Sequence, residues 1–168
     1  MHPRWRIVGF SAPAWTPDGS RVAFVTWFAG EAGLGWLHSD GSGLIMTGLA
    51  PGATTEDLLF LPLHGQKRWE TLFQAAGVER NPAIAPSGRF IAYNSDESGI
   101  AEVYVRPFPN AGSRRWQIST AGGAGPVWTR GGSEIVYQDS QGGMMAVAVD
   151  SDDNEPFSKP TRTVQRRT

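Results

Sequence analysis

One pattern, which begins at a proline, occurs three times in this chain of 168 residues. In each copy a large apolar residue lies two positions after the proline, a glycine six positions after it and an aromatic residue eleven positions after it. The copies are Pro13, Trp15, Gly19 and Phe24; then Pro82, Ile84, Gly88 and Tyr93; then Pro126, Trp128, Gly132 and Tyr137. A recurring internal pattern of this kind is typical of repeat architectures.

The spacing and local chemistry of the copies indicate what each repeat folds into. The prolines that begin the second and third copies are 44 residues apart (126 − 82), which is the length expected of a four-stranded propeller blade. Apolar residues do not recur at the 3.6-residue spacing of a helical repeat. The 21 glycines and 12 prolines divide the chain into short segments, which favours strands over long helices. The sequence therefore predicts an all-β fold: a β-propeller fragment of about three full four-stranded antiparallel blades plus a half blade.

The whole chain is predicted to form a single partial propeller domain. The first interval between prolines is 69 residues (82 − 13), which exceeds the later interval by 25 and leaves room for about half a blade. The predicted blade-like units are approximately residues 10–48, 81–120 and 125–165, with the half unit at 50–76.

Several segments between the repeats are also assigned from the sequence. In the half unit, residues 56–63 and 68–74 are predicted as strands, with a short helix over residues 70–76 as the alternative. The glycine-rich residues 29–35 are predicted as a loop. The fourth strand of the last unit is expected at residues 161–165.

Composition excludes some classes of partner. The net charge is −1 and the basic residues are scattered in small clusters, whereas nucleic-acid binding requires a concentrated basic surface. Without cysteine, the chain forms no disulfide and no thiolate metal site. No stretch approaches the about 20 apolar residues of a membrane helix. We therefore predict no nucleic-acid partner, no membrane insertion by this chain and no signal peptide in it, which leaves a cytoplasmic location open.

No residue combination predicts catalysis or metal binding. A serine hydrolase needs a Gly-x-Ser-x-Gly elbow, which is absent, and Ser42 is explained by a hairpin turn. The histidines His2, His38 and His64 lack the spacing of a helical zinc motif. We predict no catalytic, metal-binding or cofactor-binding residue and no cofactor.

Two acidic segments are interpreted as polar loops. Asp150, Asp152 and Asn154 alternate as in a calcium loop, but Glu155 stands where that loop needs glycine and Thr161 where it needs glutamate. Both departures favour a solvated turn. The pair Asp96-Glu97 is likewise assigned to a loop between strands.

The tryptophans divide into two groups. Trp15 and Trp128 occupy the same repeat position as Ile84, so we predict that both pack between blades. Four other tryptophans have no equivalent in other copies, and one or two of them are candidates for surface contacts: Trp27, Trp36, Trp69 and Trp116.

These residues resemble a known family, the TolB-like, WD-repeat-like β-propellers of bacteria. The resemblance covers about residues 10–150 and rests on WTPDGS (15–20), APSGRFIAY (85–93) and EVYVRPFP (102–109). Four later segments are similar to the propeller found beside membrane-anchored bacterial serine/threonine kinases: WQIS (116–119), GG (122–123), PVW (126–128) and MMAV (144–147).

The resemblance implies a sensing or interaction surface rather than a catalyst, commonly in the periplasm or elsewhere outside the cytoplasm. This chain departs from the family in two ways. It is too short for the family's full ring of blades, and its third copy has Arg130-Gly131-Gly132 where the usual turn carries an Asp before Gly. We expect the missing Asp to remove one local hydrogen bond without changing the turn.

The predicted function is a non-enzymatic binding module, part of a larger sensory or scaffold protein. Inter-strand loops at one propeller mouth would hold a protein, a peptide or a small ligand, and open blade edges would allow self-association. The alternative is the propeller cap of a prolyl-oligopeptidase-type serine peptidase whose catalytic domain lies elsewhere. A purely structural or assembly role is a third interpretation.

Overall fold

A computed structural model describes residues 10–15, 21–28, 31–38, 43–48, 54–62, 68, 70–150 and 154–163. Before residue 45 it describes the backbone alone. Within these ranges the fold is all-β, with fourteen strands in three antiparallel sheets, which confirms the predicted fold class. Within the same ranges, no helix is long and apolar enough to cross a membrane.

The first compact unit, residues 1–72, contains a six-stranded sheet whose spatial order follows the sequence. In it β4 pairs with β5 from Gly43↔Pro62 to Gly48↔Asp57. The half unit supplies only two strands, so its first strand takes the last strand of the preceding unit as its neighbour. The six strands are β1 (Phe10–Trp15), β2 (Arg21–Phe28), β3 (Glu31–His38), β4 (Gly43–Gly48), β5 (Asp57–Pro62) and β6 (Glu70–Thr71).

Two local predictions in this unit need correction. The expected loop at residues 29–35 is largely strand, because Gly33 and Gly35 lie in the ladder opposite Thr26 and Phe24 of the long strand β2. Glycine weakens a strand, but cross-strand pairing overrides that preference here. The strand predicted at residues 68–74 is only Glu70–Thr71, and the segment after it contains no helix.

The second compact unit, residues 73–168, contains two four-stranded sheets. The second sheet has the order β10-β9-β8-β7 and the third sheet the order β11-β12-β13-β14. The predicted last strand is present but short, with Thr161 opposite Ala146. The strands are β7 (Glu79–Ile84), β8 (Phe90–Ser95), β9 (Glu102–Pro107), β10 (Trp116–Gln117), β11 (Gly123–Thr129), β12 (Glu134–Asp139), β13 (Met144–Ala148) and β14 (Thr161–Arg162).

The repeated proline marks a β-bulge in all three copies. The strand register shifts between Ser11 and Ala14, between Arg80 and Ala83, and between Ala124 and Val127. Each shift brackets the proline, which has no N–H to donate to a ladder and is therefore tolerated at a bulge. The residue before the proline takes a left-handed conformation in the second and third copies, with φ of 52° at Asn81 and 62° at Gly125.

A hydrophobic core joins the second and third sheets. It contains Ala92, Val103, Ile135 and Val147, all fully buried. Trp128 projects from β11 into this core, where its Nε1 donates a hydrogen bond to the Ala83 carbonyl oxygen at 2.8 Å. Large apolar side chains from consecutive repeats thus hold the two sheets face to face.

The turn of the third copy differs from that of the second. In the second copy Gly88 N donates to the Ala85 oxygen at 2.8 Å, and Pro86 fixes a negative φ. At the position equivalent to Pro86, Arg130 has a φ of 51°, and Gly131 follows with 69°. The expectation that the missing Asp leaves the turn unchanged is therefore wrong, because an arginine followed by two glycines admits the left-handed backbone that proline forbids.

Candidate functional site

A groove of about 1130 Å³, open to solvent, lies between the outer parts of the second and third sheets. We call it the rim groove. One wall comes from Arg114, Arg115, residues 117–118 and the loop 120–122; the other comes from the end of β12 and from residues 158–160. Trp116 and Phe157 lie between the two walls, packed against the core. The groove therefore combines segments that are about 40 residues apart in sequence.

Aromatic rings form the base of the rim groove. The Phe157 ring lies edge-on to Trp116 at 5.3 Å and to Phe90 at 5.6 Å, measured between ring centroids. Backbone bonds hold the segment that carries Phe157: Ser158 N donates to the Ala148 oxygen at 3.0 Å, and Asp150 N to the Pro156 oxygen at 2.8 Å. The segment is thus fixed to the third sheet independently of the groove's charged side chains.

Two adjacent arginines lie on aromatic faces at one wall. The Arg114 guanidinium carbon is 4.6 Å from the centroid of the Trp116 ring, and that of Arg115 is 4.9 Å from the Tyr104 ring. Arg114 also pairs with Glu155, and Arg115 with Glu97. Such cation–π contacts restrict the side chains and fix where their N–H groups point.

Asp139 forms part of the opposite wall at the end of β12. Its carboxylate accepts hydrogen bonds from Gly143 N at 2.6 Å, Gln141 N at 2.9 Å and Arg162 Nη2 at 3.0 Å. The bond from Arg162, followed by that from Gly143, lowers the pKa of Asp139 below its ordinary value. The carboxylate is therefore charged and engaged at neutral pH.

A buried carboxylate fixes the loop that lines one side of the groove. Glu102 is 2 % exposed, and its oxygens accept hydrogen bonds from the Ser119 hydroxyl and, at 2.9 Å, from Gly122 N. The Ser119 oxygen in turn accepts from Val103 N at 2.7 Å. This network anchors the loop after β10, so that wall is preorganised.

The repeat positions of the second unit lie inside the structure rather than at a binding surface. Ile84 and Tyr93 are each 1 % exposed. The Tyr93 hydroxyl accepts a hydrogen bond from Arg106 Nε at 2.9 Å, and burial raises the pKa of Tyr93. Burial also raises the pKa of Tyr137, aided by the charges of Glu102 and Asp139.

The other predicted site residues lie apart from the groove or beyond the described ranges. Asp96, Asp150 and Asn154 are exposed. For the first copy and for two of the tryptophans the backbone is described, within β1 to β3: Pro13, Trp15, Phe24, Trp27, Trp36 and His38. Outside the described residues lie Gly19, Ser42, His2, His64, Trp69 and Asp152.

Sequence reasoning did not find the rim groove. Trp116 was a candidate for a surface contact, and the structure places it at the groove's base. The adjoining Arg114-Arg115 pair was interpreted as scattered surface charge. The signal that could have pointed to the site is the juxtaposition of these two cations with an aromatic residue outside the repeat positions.

The described residues offer no obvious metal centre. Within these ranges, no group of three His, Cys, Asp or Glu side chains is arranged to hold a metal ion. The rim groove combines aromatic area at the base with oriented charges and a preorganised loop at the walls.

Comparison with known proteins supports the fold. No family model matches the sequence, and no curated protein matches it significantly. A TolB-type protein from Agrobacterium tumefaciens has a similar structure, with a TM-score of 0.61 and 15 % identity over 92 % of this chain and 80 % of that chain. TolB from Acinetobacter baumannii gives a TM-score of 0.56 and 16 % identity over 91 % of this chain and 44 % of that one.

A third similar structure is a puromycin-hydrolysing peptidase from Mycobacterium tuberculosis. Its TM-score is 0.54 and its identity 14 %, over 91 % of this chain and 28 % of that chain. This chain therefore spans less than half the length of the second and third structures. At these identities the likeness shows the fold alone, and it confirms the predicted β-propeller fold, which is similar to that of TolB.

Proposed function

We propose that this chain, a TolB-like partial β-propeller by fold, is a non-enzymatic binding module that recognises a protein partner through a peptide segment. The observation that carries the proposal is the rim groove, where aromatic and arginine side chains converge on an open cavity of about 1130 Å³. Tryptophan and arginine are the residues most enriched at energetically important contacts.

The location of the groove suits an extended peptide. It lies beside β10, a two-residue strand at the edge of the second sheet, and an exposed sheet edge can accept a further strand from a partner. The sequence suggested loops at a propeller mouth as the contact surface. The groove lies beside the fourth strands instead, so the proposal moves the contact to the rim.

We further propose that the module belongs to a larger protein and acts outside the cytoplasm. The lengths of two of the similar structures, of which this chain spans 44 % and 28 %, support the first point. The resemblance to bacterial TolB-like propellers supports the second.

A selection from a phage-displayed random peptide library tests the binding function. We expect an enriched peptide family that binds the purified chain in calorimetry. Ala121→Trp should abolish this binding, because Ala121 is an exposed residue of the groove wall and the indole would obstruct the groove there.

Ala101→Trp is the matched control, because Ala101 is equally an exposed alanine but lies outside the groove. It should leave binding unchanged. Failure to enrich any peptide, or equal binding by both tryptophan variants, would refute the proposal.

The propeller cap of a serine peptidase is the second candidate, favoured by the similarity to the Mycobacterium tuberculosis peptidase. This function requires a Gly-x-Ser-x-Gly segment and a later histidine in the same reading frame, downstream of this chain. Sequencing that frame decides the question: a hydrolase motif would support the cap, and a stop codon or an unrelated domain would exclude it.

A further inference from the structure

We infer that the rim groove anchors its ligand through a carboxylate bound by Arg114, and that Glu155 occupies this position until the ligand displaces it. The inference rests on the proposed binding function and adds the chemistry of the ligand. The carboxylate belongs either to a peptide C-terminus or to an Asp or Glu side chain.

Arg114 is prepared to bind a carboxylate. Its guanidinium lies 4.6 Å from the Trp116 ring centroid, and that ring is itself packed against Phe157 and Phe90. A guanidinium held in this way loses little conformational freedom when it binds, and its planar set of five N–H donors matches a carboxylate. The side chain is 45 % exposed, so an incoming ligand can reach it.

Glu155 shows that a carboxylate fits at this place. It pairs with Arg114 across 41 residues of sequence, yet its own side chain remains 73 % exposed. An ion pair this exposed is weak, because water screens it. Phe157 and the backbone bonds of Ser158 hold the segment in place, so the wall does not depend on the ion pair between Glu155 and Arg114.

The neighbouring Arg115 is less suited to this role. Its partner Glu97 has a side chain only 13 % exposed, and Glu97 N is itself bound to the Ser95 hydroxyl at 3.3 Å. A ligand would have to displace Glu97, whose side chain is largely enclosed, from Arg115. Lys159, exposed on the opposite wall, adds positive charge that favours an acidic ligand over a basic one.

The test uses the tightest peptide from the library selection, synthesised in three forms: with a free C-terminus, with an amidated C-terminus, and with each Asp and Glu replaced by its amide. Calorimetry with the wild-type chain identifies which carboxylate matters. Removing that carboxylate should weaken binding about tenfold or more, as expected for a charge-assisted hydrogen bond. Amidation and side-chain replacement separate the two sources.

Variants of the protein then test each partner. Arg114→Ala should weaken binding of the acidic peptide by a similar factor and leave the uncharged form unaffected. Glu155→Gln should strengthen binding, up to about fivefold, because the internal competitor loses its charge. Arg130→Ala, which removes an exposed arginine that is paired with Glu134 outside the groove, should change neither.

The outcomes separate this inference from the proposed function. One outcome is that Ala121→Trp blocks peptide binding, whereas neither Arg114→Ala nor the loss of the peptide's carboxylates changes it. This outcome would overturn the inference and leave the binding function standing. Weaker binding by Glu155→Gln would also overturn it, since Glu155 would then be a ligand contact. The absence of any selected peptide would overturn both.

Discussion

Trp128 joins the second and third sheets through two different interactions. Its ring lies nearly parallel to Phe90, with 6.3 Å between centroids, and its Nε1 bonds to the Ala83 oxygen. Only 7 % of the residue is exposed. Both sheets would therefore lose contacts if the indole were removed.

Trp128→Ala should lower the free energy of unfolding by about 3–5 kcal/mol, the usual cost of truncating a buried aromatic side chain. Urea titration followed by circular dichroism measures this change. Ile100→Ala serves as a control, because Ile100 is 54 % exposed and should change stability by less than about 0.5 kcal/mol. Equal effects of the two variants would contradict the assigned packing role.

Asp139 should make stability depend on pH. Its pKa is lowered in the folded protein, so its contribution is fully present above the ordinary value of 3.8 and is lost as the pH falls through the lowered value. Asp139→Asn should therefore reduce Tm at neutral pH, and the Tm values of the variant and the wild-type chain should converge at acidic pH. Thermal melts across this range measure the effect, and a Tm difference that persisted in acid would show that charge is not the cause.

At the residue scale, the sequence identifies residues that pack in the core better than residues that would bind a ligand. Trp128 was singled out because its position recurs, and recurrence reports a shared structural role. Arg114 and Glu155 recur nowhere and are 41 residues apart. Their pairing depends on how β10 and residues 154–160 come together in the fold, which no local sequence pattern predicts.

At the scale of the element, the turn between β11 and β12 leaves little room for a side chain at Gly132. Gly132 has a φ of 99°, and a Cβ added there would lie 3.2 Å from Pro86 Cδ. Few side chains tolerate this backbone conformation. The close approach also links this turn to the corresponding turn of the second sheet.

Gly132→Ala should destabilise the protein by about 1–3 kcal/mol, because both the backbone conformation and the contact with Pro86 would be strained. Gly112→Ala is the control, since a Cβ added there meets nothing within 4 Å and its φ is not in the left-handed region. Comparison of their urea midpoints checks the prediction. A Gly132→Ala protein as stable as the Gly112→Ala protein would mean that the turn can rearrange freely.

Strand positions were largely predictable from alternation and turn chemistry, whereas the details of pairing were not. The bulges at the repeated prolines require knowledge of the partner strand, since a bulge is a mismatch between two strands. The first part of the strand at Glu31–His38 was assigned to a loop because its glycines signal a loop locally. Pairing with the long strand β2 stabilises this segment as a strand despite its glycines.

At the scale of the molecule, the third sheet differs on its two faces. Trp128, Ile135 and Val147 point into the core shared with the second sheet. Adjacent strand residues face opposite ways, so Val127 lies on the other face, in register with Val136 and, through it, with Ala146. Val127 is 56 % exposed there.

This open face should allow the chain to self-associate, as the sequence suggested for an incomplete propeller. A blade packs its neighbours on both faces, and the exposed Val127 beside the half-buried Val136 favours contact with a second copy. Light scattering should therefore show a mass that rises with concentration. Val127→Asp should shift the equilibrium towards monomer, because it places a charge beside Val136 on this face, whereas Ile100→Asp, at an exposed loop position, should not. A wild-type chain that stays monomeric at every concentration would show that the polar residues of this face, among them Gln138 and Thr161, are enough to keep it solvated.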